Sequence, residues 1–447
     1  MRSLYNLAVA LLASAVGTTL AIPVIRVQPG DKDDLIITKE NTINATTPAP
    51  LDNSTSSDRI ASTARLPLSL VNNFGGGTIN AYVTGLDASN RLVMLQPNGR
   101  YYYPSVRPGD VIPQIVNANV AIPLGGKGSE TKITLPGYIS SARIWFAEGE
   151  LKFYTVYSSA SGGPSLVEPS AVSPSDPSAN VNWGFVELTN IENGGLYANI
   201  SYVDFVGLVL GMSLKSADNS LQVAQGLRPN AVSQLCSKLK AQGAKDRQPW
   251  GDLCMVGSSG APLRVLAPNN YVASNPAGFG NYWTKYIDDV WTAYTSKDLT
   301  VNTQAAAGHV NCRVKNGRLV CNGDNRGYNK PTAGDIFGCN SGPFAIQAGD
   351  NDVHRAIVPR LCAAFTRTTL LVEGGHMQPG LGSKHYYTAD PTNWYSKFIH
   401  ELEVDGKGYA FSYDDVNPDG ENQSGVVAHP NPQLLTIVVG GPLSGSW

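Results

Sequence analysis

Residues 182–205 read Asn182-Trp183-Gly184-Phe185-Val186-Glu187-Leu188-Thr189-Asn190-Ile191-Glu192-Asn193-Gly194-Gly195-Leu196-Tyr197-Ala198-Asn199-Ile200-Ser201-Tyr202-Val203-Asp204-Phe205. Two runs rich in aromatic and β-branched residues flank Asn193-Gly194-Gly195, the composition of a β-hairpin with a glycine-rich turn. Side chains along a strand alternate between faces. Trp183, Phe185, Glu187 and Thr189 therefore share one face of the first strand, and Tyr197, Asn199 and Ser201 share one face of the second.

Outward from the hairpin the same pattern recurs. Short apolar, β-branched stretches stand at 66–71, 78–83, 92–95, 118–124, 132–135, 142–146 and 151–156, separated by turn clusters such as Asn72-Asn73-Phe74-Gly75-Gly76-Gly77. Closely spaced short strands predict an all-β barrel or sandwich over 66–205, carrying the hairpin. Helical periodicity begins only after Asp204. Trp283, Ile287, Val290, Trp291 and Tyr294 recur at three- and four-residue steps, and 230–243 repeats the signal with Asn230 as N-cap, Val232, Leu235, Cys236 and Leu239 inward, and Gly243 as the stop. Residues 394–402 predict a further helix. The segment 206–403 thus reads as a mixed α/β domain, and 404–447 as a return to strands at 409–413 and 434–439. The fold class is mainly β with an α/β part.

All six cysteines, Cys236, Cys254, Cys312, Cys321, Cys339 and Cys362, lie in the mixed segment. An even count in an exported chain predicts disulfides. Their connectivity is not fixed by sequence, although consecutive pairing closes the shortest loops. No C-x-x-C or H-x-x-x-H spacing exists for zinc.

Export is itself an expectation from the first residues. Arg2, an apolar run over 4–16 and small residues up to Ala21 read as a signal peptide cleaved after Ala21. A membrane anchor needs roughly 20 unbroken apolar residues. Residues 22–65 are polar and Ser/Thr/Asp-rich, the composition of a disordered leader, and carry glycosylation sequons at Asn44 and Asn53. Asn422 heads another sequon in a polar loop. Asn199 heads one too, but a glycan there would block the hairpin face, so it is expected to stay unmodified.

The chain carries 33 basic and 35 acidic residues for a net charge of −2. Its Lys and Arg are scattered, leaving no electrostatic footprint for nucleic acid or anionic lipid. A neutral partner fits best, and a secreted, extracellular monomer is expected.

If the two hairpin faces coincide, they present a carboxylate among aromatic rings, hydroxyls and an amide. Rings cover the apolar faces of pyranoses, and Asn, Ser and Thr bond sugar hydroxyls. Glycoside hydrolysis needs two carboxyls, one to protonate the leaving oxygen and one to activate water or attack. Glu187 between apolar neighbours suits the acid, because desolvation favours a protonated carboxyl. Asp204 then supplies the base. Strict alternation sets Asp204 with Ile200 and Tyr202, opposite Asn199 and Ser201, so a bulge or the strand's end near Val203 is required to turn it back. As ordinary residues, Glu187 would be an exposed strand position and Asp204 the start of a turn.

Three strings carry a resemblance: Phe-Val-Glu-Leu-Thr at 185–189, Ala-Asn-Ile-Ser-Tyr-Val-Asp-Phe-Val-Gly at 198–207 and Tyr409-Ala-Phe-Ser-Tyr-Asp-Asp-Val-Asn. With Val71-Asn72-Asn73 to Val83-Thr84-Gly85, and Ser141-Ala142-Arg143-Ile144-Trp145-Phe146, the chain resembles glycoside hydrolase family 64 in order from about residue 66 to 441. That resemblance implies an endo-β-1,3-glucanase of thaumatin-like architecture, with a barrel and an α/β domain flanking a wide groove. It also implies inversion, with carboxyls roughly 6.5–9.5 Å apart, and β-1,3-glucan as partner without a cofactor. The family's catalytic Glu matches Glu187 and its catalytic Asp matches Asp204. Its sugar contacts match Thr189, Tyr197 and Ser201, the last a Ser where Thr also occurs. The segment between Thr189 and Tyr197 departs from the family pattern. A non-catalytic thaumatin-like glucan-binding protein is the alternative.

Two further motifs read as local structure. Asp415-Val-Asn417-Pro-Asp419-Gly420 opens like a calcium loop, but Val426 stands where the bidentate Glu belongs, which favours a turn. Asp350-Asn351-Asp352 precedes a helical run and reads as a cap.

Overall fold

Strand Asn182–Ile191 pairs antiparallel with strand Gly195–Ile200, setting Glu187 opposite Asn199 and Thr189 opposite Tyr197. The computed structural model describes residues 64–159 and 162–442. The signal peptide, nearly all of the leader and the sequons at Asn44 and Asn53 lie outside the described residues. The turn closes with Asn193 and Gly195 in the left-handed region, at φ 62° and 74°. A Cβ on Gly195 would sit 2.3 Å from the His429 carbonyl oxygen, so only glycine fits there.

The hairpin lies one strand in from an edge of the larger sheet. Its first strand pairs on the other side with Ile139–Glu148, which pairs with Ile79–Asp87, followed by Leu92–Leu95 and Tyr101–Tyr102. Strand Val427–His429 adds to the edge beyond Gly195–Ile200. A five-stranded sheet runs in the order Leu221–Ala224, Leu210–Ser216, Pro432–Val439, Leu66–Asn72, Glu130–Leu135. Its centre is a parallel pairing of Leu66–Asn72 with Pro432–Val439.

Period-two alternation explains the core between these sheets. Leu68, Leu70, Val83, Ile144, Val186, Leu188, Ala198, Ile200, Met212, Leu214, Leu435 and Ile437 point into it and are almost fully buried. On the opposite face of the larger sheet Tyr82, Trp145, Trp183 and Phe185 form a second apolar layer, covered by Phe153, Leu166, Phe205 and Leu266. Trp183 lies 4.4 Å from Phe205 and 5.5 Å from Trp145, ring centre to ring centre. Its expected role as a sugar-contacting surface ring is corrected here: Trp183 is 3% exposed and packs inside this layer.

The mixed part carries helices Ala231–Asp246, Thr284–Ser296, Asp352–Thr366 and Trp394–Leu402. Trp283, Ile287, Val290, Trp291 and Tyr294 are buried as their spacing requires. The first helix runs past Gly243 to Asp246 and closes at Arg247 in the left-handed region, while Asn230 stands at its N-cap without a side-chain capping bond. Gly243 answers packing instead, because a Cβ there would meet the Gln248 carbonyl oxygen at 2.7 Å. Asn351 caps the third of these helices through the His354 amide. The cysteines pair consecutively as Cys236–Cys254, Cys312–Cys321 and Cys339–Cys362. Each closes a short loop and contributes about 2–4 kcal/mol by restricting the unfolded chain. Among the described residues no helix is long and apolar enough to cross a membrane.

Two expected strands are shorter than their sequence suggests. Of 118–124 only Ile122–Pro123 pairs, with the Leu124 amide donating to the Ile79 carbonyl at 2.9 Å just beyond it. Of 409–413 only Tyr409 bridges, to Ser201. The following residues turn because the Asp414 carboxylate accepts the Ala410 amide at 2.9 Å, competing with a ladder. In the former calcium-loop stretch, Asn417 and Asp419 bond within the fold: the Asn417 amide donates to the Asp414 carbonyl, and Gln304 Nε2 donates to the Asn417 carbonyl and to Asp419. No group of three or more His, Cys, Asp or Glu placed to hold a metal occurs among the described residues.

Asp414 also anchors a buried charge cluster. His400 bonds Glu403 through Nδ1 and Asp414 through Nε2, each at 2.9 Å, and Arg367 bonds Asp414 at 2.8 Å. Burial opposes the His400 charge, but the flanking Asp414 and Glu403 carboxylates hold its pKa well above the usual histidine range. A pKa raised on folding gives stability that is complete below the unfolded value of about 6.5 and is lost as pH rises through the folded value. Asp414, despite burial, is held low by His400 and Arg367 and contributes with the opposite sign, losing stability as pH falls.

Two outcomes follow for stability. Trp183→Ala lowers unfolding free energy by about 3–5 kcal/mol in urea titration, since the aromatic layer cannot collapse to fill it. His400→Gln costs about 3–5 kcal/mol at pH 6 by leaving the buried Glu403 carboxyl without its charged partner and Asp414 with Arg367 alone. That deficit shrinks as pH rises above neutrality, where wild type loses melting temperature and the variant stays flatter.

Candidate functional site

The polar end of the hairpin face continues directly from the aromatic layer. On Asn182–Ile191 the order along one face is Trp183, Phe185, Glu187, Thr189, so a single alternation supplies a buried aromatic foundation and then two polar positions, of which Glu187 is the one partly open. The neighbouring strand repeats the arrangement: Trp145 stands opposite Phe185 and Arg143 opposite Glu187.

Arg143 is the hub. Its guanidinium stacks over Phe185 at 4.6 Å and Trp145 at 5.4 Å. It donates to Glu187 Oε1 through Nη2 at 3.1 Å and Nε at 3.3 Å, and through Nη1 to Glu168. Burial opposes its charge, but Glu168, Glu187 and Asp204 together hold it as a cation. Glu187 Oε2 also accepts a longer bond of 3.4 Å from the Asn199 amide. The Arg143, Glu168 and Glu187 side chains are 11%, 12% and 24% exposed, so Glu187 is the carboxyl that opens outward.

Asp204 reaches the same site because the second strand ends before it. The chain pairs through Ile200, bridges Ser201 to Tyr409, passes the Tyr202 amide to the Tyr409 carbonyl at 2.9 Å, and bends at Val203. Phe205–Val206 then pairs with Pro262–Leu266. The Asp204 carbonyl accepts the Ala267 amide at 2.9 Å and the Asn270 side-chain amide at 2.8 Å. The alternation conflict is thereby removed by the strand's end rather than by a bulge. Burial pushes the Asp204 carboxyl up, Arg143 opposes this, and the Glu187 charge adds to it.

The remaining candidates fall as follows. Tyr197 is half-buried on the site face, beside Thr189. Thr189 is 1% exposed and its hydroxyl has no partner. Ser201 is buried at the Tyr409 bridge. Asn199 is buried with its amide committed to Glu187, whereas the sequon residue Asn422 is exposed. Trp183 does not reach the surface.

Three participants were not singled out by the sequence. Arg143 lay within a recognised strand, but pairing it with Glu187 needs the strand register. Glu168 lies 19 residues before Glu187 in a loop and is brought in by tertiary packing. Tyr409, bonded to Asp415, lies within the field of Glu187, and the burial that surrounds it pushes its phenol far up. The Tyr409-Ala-Phe-Ser-Tyr string was the one available signal for it.

A raised carboxyl beside a partly open one, in a site with no strongly basic surface, is suited to moving protons on a neutral substrate. The curated relatives agree. Over 391 residues the chain is 28% identical to a glucan endo-1,3-beta-glucosidase of Cellulosimicrobium cellulans, covering 86% of this chain and 66% of that protein. It is 29% identical over 393 residues to one of Arthrobacter sp. strain YCWD3, with the same coverage. The chain thus spans about two thirds of the length of these relatives. A laminaripentaose-producing beta-1,3-glucanase solved in complex with laminaritetraose superposes with a TM-score of 0.72 at 27% identity, over 84% of this chain and 98% of that one. A beta-1,3-glucanase domain from Clostridium beijerinckii shares the fold, with a TM-score of 0.63 at 21% identity, covering 86% of this chain and 100% of that one. The model of the beta-1,3-glucanase family, glycoside hydrolase family 64, matches residues 64–439, and the chain belongs to that family.

Proposed function

We propose that the protein is a secreted endo-β-1,3-glucanase that cleaves its substrate with inversion, Glu187 serving as general acid and Asp204 as general base. The observation that carries this reading is the Arg143 guanidinium bonded to Glu187, with Asp204, from the turn after the hairpin, lying within its field. In the proposed reaction Glu187 gives its proton to the glycosidic oxygen as the bond to the anomeric carbon breaks. Asp204 takes a proton from water, whose oxygen attacks that carbon from the opposite face. The desolvation expected at Glu187 falls on Asp204 instead, whose carboxyl is pushed up by burial, so the two roles are assigned by the match of Glu187 and Asp204 to the family's catalytic pair and not by burial. The steps use carboxyls and water alone and call for no cofactor.

Substrate would lie across the opening at Glu187, with the half-buried Tyr197 ring against a pyranose, while Thr189 and Ser201, expected as sugar contacts, are buried beneath that face. Asn199 orients Glu187. The solved family structure bound to laminaritetraose supports a β-1,3-glucan chain as ligand. Secretion is supported by the three disulfides, which persist in oxidising compartments.

Purified protein is expected to shorten linear β-1,3-glucan internally and release the inverted anomer, read by NMR during the first turnovers. Glu187→Gln and Asp204→Asn each lower kcat by about 10²–10⁴-fold while binding of insoluble glucan persists. Binding without any cleavage by wild type would instead identify a glucan-binding protein, and release of the retained anomer would remove the assigned roles.

A further inference from the structure

Glu168 is the one carboxyl of the cluster without a role in the proposed reaction. It follows strand Gly163–Val167, and Leu166 before it and Ala171 and Val172 after it pack into the aromatic layer. Arg143 Nη1 bonds Glu168 while its Nη2 and Nε bond Glu187, so the two carboxylates divide one guanidinium by opposite edges. Glu168 is the more enclosed of the two, its side chain 12% exposed against 24% for Glu187.

Stability alone does not call for this arrangement. A buried ion triad is commonly no more stable than apolar side chains of the same volume, and each buried charge carries a desolvation cost. Its consequence for a proton-transferring pair is direct. With Glu168 absent, the full Arg143 charge would fall on Glu187 and Asp204 and favour their ionised forms. With Glu168 present, that charge is largely spoken for, yet the guanidinium still fixes the Glu187 carboxylate in place.

We propose that Glu168 is a positioning residue that divides Arg143 with Glu187, so that Arg143 orients the reacting carboxyl without holding it as a fixed ion pair. The assignment rests on the glucanase reading for its kinetic consequence. The other groups facing the cluster are Asp204 from the turn after Ser201, Tyr395 from helix Trp394–Leu402, and Tyr409 with its partner Asp415. Burial pushes Glu168 up, Arg143 opposes this, and Glu187 and Asp204 add to it. The carboxyls are therefore coupled, and their titration belongs to the group.

The test compares wild type, Glu168→Gln and Glu168→Asp by the pH profile of kcat/KM on linear β-1,3-glucan. In parallel, the Asp204 carboxyl is titrated by carbon NMR in aspartate-labelled protein, assigned with Asp204→Asn. In Glu168→Gln both limbs of the bell, and the Asp204 midpoint, move to lower pH by about one unit. Glu168→Asp keeps the charge and stays near wild type. Unmoved limbs and midpoint in folded Glu168→Gln would overturn the proposal, as would an equal shift in Glu168→Asp. So would a Glu168→Gln protein that fails to fold while Glu168→Asp folds, because the residue would then be structural. If wild type cleaves no glucan, the glucanase reading fails while the Asp204 titration still decides the assignment of Glu168.

Discussion

The buried guanidinium of Arg143 is the constraint from which the rest of the site follows. Glu168 and Glu187 share this one cation and Asp204 lies within its field. Without it, like charges at this separation in a poorly solvated setting could not be held together. Arg143 in turn is kept in place by what lies beneath it, the rings of Phe185 and Trp145, and by the strand register that sets it opposite Glu187. The aromatic layer and the polar site are thus one mechanical unit. A change to the layer reaches the carboxyls through a stacked, planar side chain that has little freedom to compensate.

The second half of the chain completes the unit at Asp204. Helix Trp394–Leu402 sends the Tyr395 hydroxyl to the Tyr202 carbonyl at 2.6 Å and the Ser396 hydroxyl to the Ala410 carbonyl at 3.2 Å. The same helix carries His400, whose partner Asp414 holds the Ala410 amide. One helix therefore fixes both the end of the hairpin and the Tyr409 segment that bridges it. The charge cluster around His400 is a structural support for the site rather than part of its chemistry, and it links the stability of the mixed part to the position of the catalytic candidates.

Much of this was legible in residues 182–205. Alternation gave the shared face of Glu187, Thr189, Tyr197 and Asn199, because a strand's period is two and the glycine-rich turn sets the register. It placed Trp183 on the right face and still misjudged its surroundings. Alternation says which side a side chain points to and not what covers that side, and here the covering residues Phe153, Leu166 and Leu266 come from distant segments. Asp204 could not be placed by alternation at all, since its position depends on pairing with Pro262–Leu266 and on Asn270. Glu168 left no local signal. The expected strand at 409–413 failed for a related reason: its apolar composition is strand-like, but Asp414 claims the Ala410 amide that a ladder would need.

The difference between the two candidate carboxyls comes from their surroundings and not from their side-chain type. Glu187 opens outward and takes its orientation from Arg143 on one oxygen and Asn199 on the other. Asp204 sits at a chain reversal with its backbone carbonyl tied to Ala267 and Asn270, and burial pushes its carboxyl up. One carboxyl is thus held at the opening by side chains from neighbouring strands, and the other follows a backbone carbonyl tied by the Ala267 amide and the Asn270 side chain.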